Sequence, residues 1–291
     1  MPDDVLSDNL RQEQQYISVG GLQLFQQAWL PAQPRASLIL AHGCGEHLQR
    51  YDAFARYLAA QGFAVYAHDH RGHGRSQGAL ALLHNFGDLV EDFACIVRDV
   101  RQRATAPLFL LGHSMGGAVV LEYLLRYPEE AQALQAVVLS AAFLQHAQPP
   151  PAWQQRGLQL LSRFFPTLPV EAVDSKVLAR DPAVLRAYDD DPLVYHRRLS
   201  AALCRELLAV GPRILAQAAR LQHPSLIVHG GADALADAQG SQALHAALGS
   251  RDKQLRIYPE AYHEILNDYG HESVWQDIAN WLEQQYQAVS A

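Results

Sequence analysis

Residues 107–126 read PLFLLGHSMGGAVVLEYLLR, and this stretch decides the fold. The apolar run Pro107–Leu111 precedes a G-x-S-x-G pattern, and a helical pattern begins at Met115. The pattern alone is weak, because composition produces it by chance in roughly one chain in ten of this length. Between a buried strand and a helix, however, it predicts a sharp turn that lifts the hydroxyl of Ser114 out of the sheet. The alternative is an ordinary strand-to-helix turn with a packed serine.

Short apolar runs alternate with helical patterns on both sides of this stretch. Eight strands are predicted, at 16–19, 22–30, 37–41, 63–67, 107–111, 136–140, 225–229 and 255–258. The first two flank Gly20-Gly21 and are expected to form an antiparallel hairpin. The others are separated by helical patterns at 51–61, 89–101, 115–126, 239–248 and 274–286. This alternation predicts an α/β fold with a mostly parallel, eight-stranded sheet flanked by helices.

The alternation of strand and helix patterns stops between residues 144 and 221, where no convincing strand pattern appears. Apolar helical stretches are found at 153–165 and 200–221. Ligands of open α/β sheets bind beyond the carboxyl ends of the strands, and a helical insertion that leaves and rejoins the sheet there would cover the site as a lid. We therefore expect a core domain made of residues 1–143 and 222–291, with a helical cap formed by residues 144–221.

Composition and charge limit the partners of this chain. Its 291 residues carry a net charge of −7 and no Lys/Arg run longer than two, which argues against nucleic acid or a polybasic membrane surface as a partner. The 3 cysteines match no metal site or disulfide framework, and we expect no metal or cofactor. The acidic start Met1–Val5 lacks the features of a signal peptide, and no apolar run approaches the ~18 residues that span a bilayer. We expect a cytoplasmic protein, and the oligomeric state is left open.

A serine nucleophile needs a base, and the base needs a carboxylate to orient it. The chain order expected for this kind of fold is serine, acid, histidine. His263 directly follows the last predicted strand, so we prefer it to a surface-loop interpretation. Asp233 lies on a tight loop after the strand at 225–229, and we prefer it to Asp237, which is placed to cap the next helix. Other histidines are less well placed, in a strand or on helices: His229, His245 and His271.

An oxyanion needs two N–H donors. The N–H of Met115 at the start of a helix is one of them. The second is expected from the loop His42-Gly-Cys-Gly-Glu-His47, whose glycines let the backbone approach a ligand closely. We assign the N–H of Cys44. The thiol of Cys44 could instead be a nucleophile, but a small side chain beside the turn is the simpler interpretation.

Four segments together resemble the monoacylglycerol lipase/lysophospholipase family of serine α/β-hydrolases. They are His42-Gly-Cys-Gly-Glu-His47 with Arg50-Tyr51, Asp69-His-Arg-Gly-His-Gly-Arg-Ser76, Gly112–Gly117, and Gly230-Gly-Ala-Asp233 with Ala261-Tyr-His263. The match covers roughly residues 16–281 and implies the α/β-hydrolase fold. It also implies a catalytic triad of Ser114, Asp233 and His263 and an oxyanion pair of Cys44 and Met115.

The resemblance further implies residues that bind the substrate. Glu46 and Arg50 occupy positions at which the family fixes a loop near the alcohol end of the substrate. A surface i,i+4 ion pair is the alternative. Tyr188 begins a segment similar to the family's Y-x-x-D-P-L, where the tyrosine faces the glycerol, and His113 belongs to the G-H-S-M-G-G segment.

One position departs from the family. Animal monoglyceride lipases carry a second histidine three residues after the catalytic one, and here that position is Leu266. A polar contact to the head group is therefore missing, which weakens the implied preference for glycerol esters.

Large apolar residues crowd one stretch of the predicted cap: Trp153, Leu158, Leu160, Leu161, Phe164, Phe165 and Leu168. Packing of the cap on the core would explain them. Alternatively they form a wall for the acyl chain, for which Leu161 and Phe164 are the candidates, and a patch that contacts lipid or detergent transiently.

These features predict a serine hydrolase that cleaves carboxylic esters of lipids through an acyl-enzyme, with monoacylglycerols or lysophospholipids as the expected substrates. Three alternatives stay open. One is a proline-iminopeptidase-like peptidase, for which the acidic run Asp189–Asp191 could hold a free amine. The others are an acyltransferase with the same triad and a non-catalytic receptor that binds a ligand without turnover.

Overall fold

The structure is a computed structural model that describes residues 10–80 and 82–290 of the chain. Met1–Val5, on which the expectation of no signal peptide rests, lie outside the described residues. The described strands are β1 (Leu10–Val19), β2 (Leu22–Pro31), β3 (Ala36–Ala41), β4 (Phe63–His68), β5 (Leu108–His113), β6 (Ala136–Ser140), β7 (Pro169–Glu171), β8 (Leu199–Ser200), β9 (Ser225–Gly230) and β10 (Lys253–Tyr258). The described α-helices are α1 (Asp52–Ala60), α2 (Gly87–Arg103), α3 (Met115–Arg126), α4 (Pro128–Ala131), α5 (Ala152–Phe164), α6 (Pro182–Asp189), α7 (Ala201–Leu215), α8 (Ala238–Ala247) and α9 (His271–Ser290).

Eight strands form one sheet in the order β1-β2-β4-β3-β5-β6-β9-β10. The β1–β2 and β2–β4 pairs are antiparallel, whereas every pair from β4 to β10 is parallel. Strands β3, β5, β6 and β9 are buried along their whole length, as expected when helices cover both faces of a parallel sheet. The predicted hairpin and the predicted mostly parallel, eight-stranded sheet are confirmed.

An apolar cluster lies on each face of the sheet. Helices α1 and α9 cover one face with Phe54, Leu58 and Trp281, all of them buried. Helices α2 and α3 cover the other face with Phe93 and Tyr123, and α7 extends this second cluster. Because β3, β5, β6, β9 and β10 run in the same direction, their carboxyl ends lie at one edge of the sheet. The loops that carry the candidate site residues begin at this edge.

Residues 144–221 leave the sheet after β6 and return before β9. They contain α5, α6 and α7, and also the short antiparallel pair β7–β8, which joins Pro169 to Ser200 and Glu171 to Leu199. The expectation of no strand here is wrong, because strands of two and three residues are too short to show an alternating pattern. The division into a core domain and a cap at these boundaries stays a prediction. No helix in the described ranges is long and apolar enough to cross a bilayer.

The predicted turn between β5 and α3 is present. Ser114 occupies it with φ 53° and ψ −120°, a conformation that L residues rarely adopt. Its N–H donates to the carbonyl of Ser140 at 3.0 Å, and its own carbonyl accepts from the N–H of Phe143 at 3.0 Å. Gly116 lies so close to β3 that a Cβ there would be 2.2 Å from the carbonyl oxygen of Ala41. The turn is therefore held by neighbours on both sides.

Replacement of Gly116 by alanine should destabilise the protein. The added methyl group meets backbone rather than a flexible side chain, so we expect the free energy of unfolding to fall by about 2 kcal/mol or more. Urea denaturation followed by circular dichroism measures this change. Gly157→Ala is the matched control, because a Cβ at Gly157 in α5 meets nothing within 4 Å and should stabilise the helix by about 0.5–1 kcal/mol. Equal stability of the two variants would contradict the close packing at Gly116.

Candidate active site

Three of the predicted site residues form a continuous chain of hydrogen bonds. The Oγ of Ser114 lies 2.9 Å from Nε2 of His263, and Nδ1 of His263 lies 2.6 Å from Oδ2 of Asp233. All three side chains are buried. Because Nδ1 faces a carboxylate, it holds the imidazole proton, and Nε2 is left to accept the proton of the serine. The arrangement can therefore activate Ser114 as a nucleophile.

The charge of Asp233 sets the electrostatics of this chain. Burial alone would raise the pKa of Asp233, but the imidazoles of His263 and His229 lower it far below its ordinary value. Burial alone would likewise lower the pKa of His263, and the charge and hydrogen bond of Asp233 raise it above 6.5. Asp233 thus stays ionised and stabilises the imidazolium that forms when His263 takes up a proton.

The loop after β9 fixes the carboxylate of Asp233. Its Oδ1 accepts the N–H groups of Leu235 and Ala236 at 2.8 and 2.9 Å, so that Oδ2 is left to face His263. The alternative acid, Asp237, instead caps α8 by accepting the N–H of Gln239 at 2.8 Å. The structure thus brings Asp233, and not Asp237, to the histidine.

His229 also contacts Asp233, although its position in a strand made it a less well placed candidate than His263. It is fully buried at the end of β9, with Nε2 3.2 Å from Oδ2 of Asp233 and 3.1 Å from the carbonyl of Ala236. Both neighbours are acceptors, so Nε2 carries the proton, and Nδ1 accepts from the hydroxyl of Ser241 at 2.7 Å. His229 therefore supports the carboxylate from the side opposite its amide donors. Its spacing of four residues from Asp233 is the only signal of this role in the sequence.

The two expected oxyanion donors border the cavity that contains Ser114. A Cβ on Gly43 would lie 3.2 Å from Cβ of Ser114, so the backbone of this loop runs directly against the serine. Within the described part of the chain, neither the N–H of Cys44 nor that of Met115 donates to a protein acceptor. Both are available to an oxyanion. Burial raises the pKa of the Cys44 thiol to about 12, which argues against Cys44 as the nucleophile.

Glu46 and Arg50 are not a surface ion pair. Glu46 is buried and accepts from the N–H of Gly43 at 2.6 Å, the hydroxyl of Tyr51 at 2.6 Å and Nε of Arg50 at 3.0 Å. Arg50 also donates from Nη2 to Glu264, the residue after His263. The arginine thereby joins the loop of Cys44 to the loop of His263. Glu264 was not predicted, because nothing in its local sequence marks it as a partner of Arg50.

Tyr188 and His113 complete the polar part of the cavity wall. The guanidinium of Arg50 lies 4.7 Å from the ring centroid of Tyr188, so α6 packs onto the Glu46–Arg50–Glu264 network. The ring of His113 lies 4.9 Å from that of His263. Burial, together with the nearby His263, lowers the pKa of His113 to about 3, so this histidine stays neutral at physiological pH.

The remaining wall is largely apolar, and its residues come from the loop after β6 and from residues 144–235. They include Phe143, Val173, Leu199, Leu207, Leu208 and Leu235. The predicted wall residues Leu161 and Phe164 are not among the lining residues, and Phe164 is 66% exposed on α5. The apolar stripe of α5 shows the helical period but does not reveal which way the stripe faces. Cys204, which is buried on α7, also lines the cavity.

Comparison with known proteins agrees with this geometry. Residues 32–270 match the Hydrolase_4 family, described as serine aminopeptidase, S33. The chain is 38% identical over 274 residues to the monoacylglycerol lipase of Mycolicibacterium smegmatis, covering 94% of this chain and 97% of that one. It belongs to the monoacylglycerol lipase family of serine α/β-hydrolases. The predicted family is confirmed.

Further members of this family show similar coverage. The monoglyceride lipase of Homo sapiens is 32% identical over 279 residues, covering 92% of this chain and 89% of that protein. The crystal structure of the Paleococcus ferrophilus monoacylglycerol lipase superposes with a TM-score of 0.81 at 30% identity, covering 90% of this chain and 99% of that one. The α/β-hydrolase fold is thereby confirmed as well.

The raised pKa of His263 predicts the acid side of the pH–activity profile. With neutral His263 as the predicted base, kcat/KM for an ester should fall below a midpoint that lies above pH 6.5. Asp233→Asn removes the charge that raises this pKa. We expect the midpoint to move to lower pH and kcat to drop on the order of 10⁴-fold.

Stopped-flow or pH-stat kinetics between pH 5 and 9 measure both effects. Asp237→Asn is the matched control, since Asp237 caps α8 and does not contact His263. An acid midpoint that is the same in wild type and Asp233→Asn would show that His263 is not the titrating base.

Proposed function

We propose that this enzyme hydrolyses monoacylglycerols to a fatty acid and glycerol. The observation that carries the proposal is the hydrogen-bonded Ser114–His263–Asp233 chain at a cavity whose wall is polar in one part and apolar in another. A monoacylglycerol has the same division into a glycerol head and an acyl chain. The relatives named monoacylglycerol lipase, at 38% and 30% identity over most of the chain, support the assignment.

The proposed mechanism uses only groups of this chain and water. Oγ of Ser114 attacks the ester carbonyl carbon while Nε2 of His263 takes its proton, and the N–H groups of Cys44 and Met115 bind the oxyanion. The imidazolium returns this proton to the alcohol oxygen as the carbon–oxygen bond breaks, which leaves Ser114 acylated. Water then attacks the acyl-enzyme with His263 as base again, and the fatty acid leaves. Asp233 keeps the imidazole in one orientation through both steps.

The polar part of the wall suits an uncharged alcohol. Glu46 and Glu264 place two carboxyl groups against the single guanidinium of Arg50, so a phosphate would meet no surplus of positive charge. This balance favours glycerol over the head group of a lysophospholipid, which was the other expected substrate. Leu266 does not alter this part of the wall, because its side chain is buried and lines a separate surface groove.

The peptidase alternative finds less support. Asp189 and Asp190 are exposed, and Asp191 binds Nε2 of His47 at 2.9 Å and the N–H of Leu193 at 2.8 Å. None of the three aspartates lines the cavity. The acidic run is therefore not placed to hold the amine of a peptide beside Ser114. Ligand binding without turnover is the alternative that the experiment below separates from ester hydrolysis.

We also propose transient contact with a membrane or micelle. Helix α5 and the segment after it expose large apolar side chains: Trp153, Leu160, Phe164, Phe165 and Leu168. Clusters of exposed large apolar side chains are typical of surfaces that contact lipid or protein. Monoacylglycerols reside in lipid aggregates, so a surface that touches them would bring the cavity to the substrate. The cytoplasmic location stays a prediction.

A substrate panel tests the proposed function. Purified wild type should hydrolyse 1-monooleoylglycerol faster than lysophosphatidylcholine and should leave proline p-nitroanilide intact. Ser114→Ala should abolish turnover. Tyr188→Phe should raise KM for the glycerol ester more than for methyl oleate, since the two substrates share an acyl chain and differ in the alcohol. Turnover of the proline amide alone would replace the lipase with the peptidase, and silence on every ester by a folded protein would favour the receptor.

Phe164→Asp tests the membrane contact. We expect slower hydrolysis of monoacylglycerol in phosphatidylcholine vesicles, because a charge on the exposed patch opposes insertion into the lipid. Hydrolysis of a dissolved butyrate ester should be unchanged, since Phe164 does not line the cavity. Gln154→Asp adds the same charge at another exposed site on α5. The contact is disproved if Phe164→Asp and Gln154→Asp give equal rates on vesicles.

A further inference from the structure

Glu171 is a third carboxylate in the cavity wall, and it is not bonded to the network around Arg50. It ends β7 and pairs with Leu199 of β8. Residues directly opposite each other in an antiparallel pair project to the same side, and both of these line the cavity. The Glu171 side chain retains 45% exposure, so it is still partly solvated there.

The neighbours of Glu171 are an imidazole and a thiol. Nδ1 of His146 accepts the N–H of Gln148 at 3.0 Å, so Nε2 carries the proton and donates to Oε1 of Glu171 at 3.2 Å. The thiol of Cys204 also lines the cavity, and burial together with the negative charge of Glu171 raises the pKa of this thiol. Across the described residues, no arginine or lysine forms an ion pair with Glu171, in contrast to Glu46 and Glu264. The hydrogen bond from His146 lowers the pKa of Glu171, which keeps it ionised.

The surroundings of this carboxylate are those of an acyl pocket. Phe143, whose ring lies 5.9 Å from that of His146, lines the same cavity, as do Leu199, Leu207 and Leu208. A saturated chain that enters this part of the wall gains from contact with the apolar side chains. When the chain becomes long enough to cover Glu171, it removes water from a charged group and offers no hydrogen bond in return.

We propose that Glu171 determines which acyl groups this enzyme accepts. It disfavours unsubstituted acyl chains long enough to cover the carboxylate and favours acyl chains that carry a hydrogen-bond donor, a hydroxyl or an ammonium group, at that depth. The inference rests on the proposed ester hydrolysis and specifies its substrate class. It predicts an oxygenated or amine-bearing acyl ester as a better substrate than a plain long-chain ester.

A second groove beside the cavity offers the acyl chain a different route. Leu208 also borders a groove between α5 and α7 that is lined by Gln155, Leu158 and Arg205. A chain that passed Leu208 into this groove would avoid Glu171. In that case no substitution of Glu171 would alter the preference for chain length.

The test compares kcat/KM for two matched series of methyl esters. One series contains unsubstituted chains of C4 to C16, and the other carries a hydroxyl or an amino group at successive positions of the same chains. Each value is divided by that enzyme's own value for the butyrate ester. The variants are Glu171→Leu, which removes the charge and the acceptor, and Glu171→Gln, which keeps an acceptor without the charge. Glu260→Leu, at a residue that is 92% exposed, controls for the loss of one negative charge.

In wild type and Glu260→Leu, the unsubstituted series should rise with length and then fall, and a donor at the matching depth should restore kcat/KM by about tenfold, the value of one hydrogen bond to a charged group. Glu171→Leu should abolish the fall and reverse the preference for the donor. If the amino group raises kcat/KM more than the hydroxyl group does, and if this difference disappears in Glu171→Gln, the preferred acyl chain carries an ammonium group. If both groups raise kcat/KM equally, the preferred acyl chain carries a hydroxyl group.

Identical profiles in wild type and Glu171→Leu would overturn the role of Glu171 and leave the ester hydrolysis in place. Failure of wild type to hydrolyse any ester of either series would overturn the proposed function, and this inference with it.

Discussion

The structure depends on the strained turn at Ser114. A residue with φ 53° is unfavourable. It persists here because its N–H is bound by Ser140 at the end of β6, its carbonyl is bound by Phe143 in the loop after β6, and Gly116 lies against the carbonyl oxygen of Ala41. These contacts join β5 and α3 to β3 and β6. The loop of Cys44 follows β3, so the same packing that holds the turn also places the expected oxyanion donors beside Ser114. Strain, packing and donor position are therefore one constraint.

Arg50 connects the loop after β3 to residues near the carboxyl end of the chain. It binds Glu46 on the loop after β3 and Glu264 beside His263, and it packs on Tyr188 of α6. Three segments, which carry Cys44, His263 and part of the cavity wall, are thus tied to one buried guanidinium. A buried charge is costly unless it is fully paired, and two carboxylates and an aromatic face provide that pairing. The positions of these three segments around the cavity therefore depend on one another.

Much of this could be predicted from the sequence, for identifiable reasons. The buried strand, G-x-S-x-G and following helix are contiguous, so Ser114 and the parallel sheet are visible in local patterns. Asp233 and His263 each follow a strand, and the topology brings such loops together. Glu264 could not be predicted, and His229 was ranked below His263, because the contacts of both residues are made by partners that only the fold supplies. Arg50 and Glu264, for instance, are 214 residues apart. Phe164 does not line the cavity, and an apolar stripe alone does not say whether it faces inward or outward.

The sequence separation between the interacting groups affects the order in which the protein folds. Ser114 and His263 are separated by 149 residues, and Asp233 and His263 by 30. Contacts of such long range form only after the loops between them have been closed, at a cost in chain entropy. No contiguous fragment that stops short of β10 contains His263. The hydrogen-bonded chain of Ser114, His263 and Asp233 is thus a product of complete folding, and its formation during refolding requires the carboxyl-terminal strands to be in the sheet.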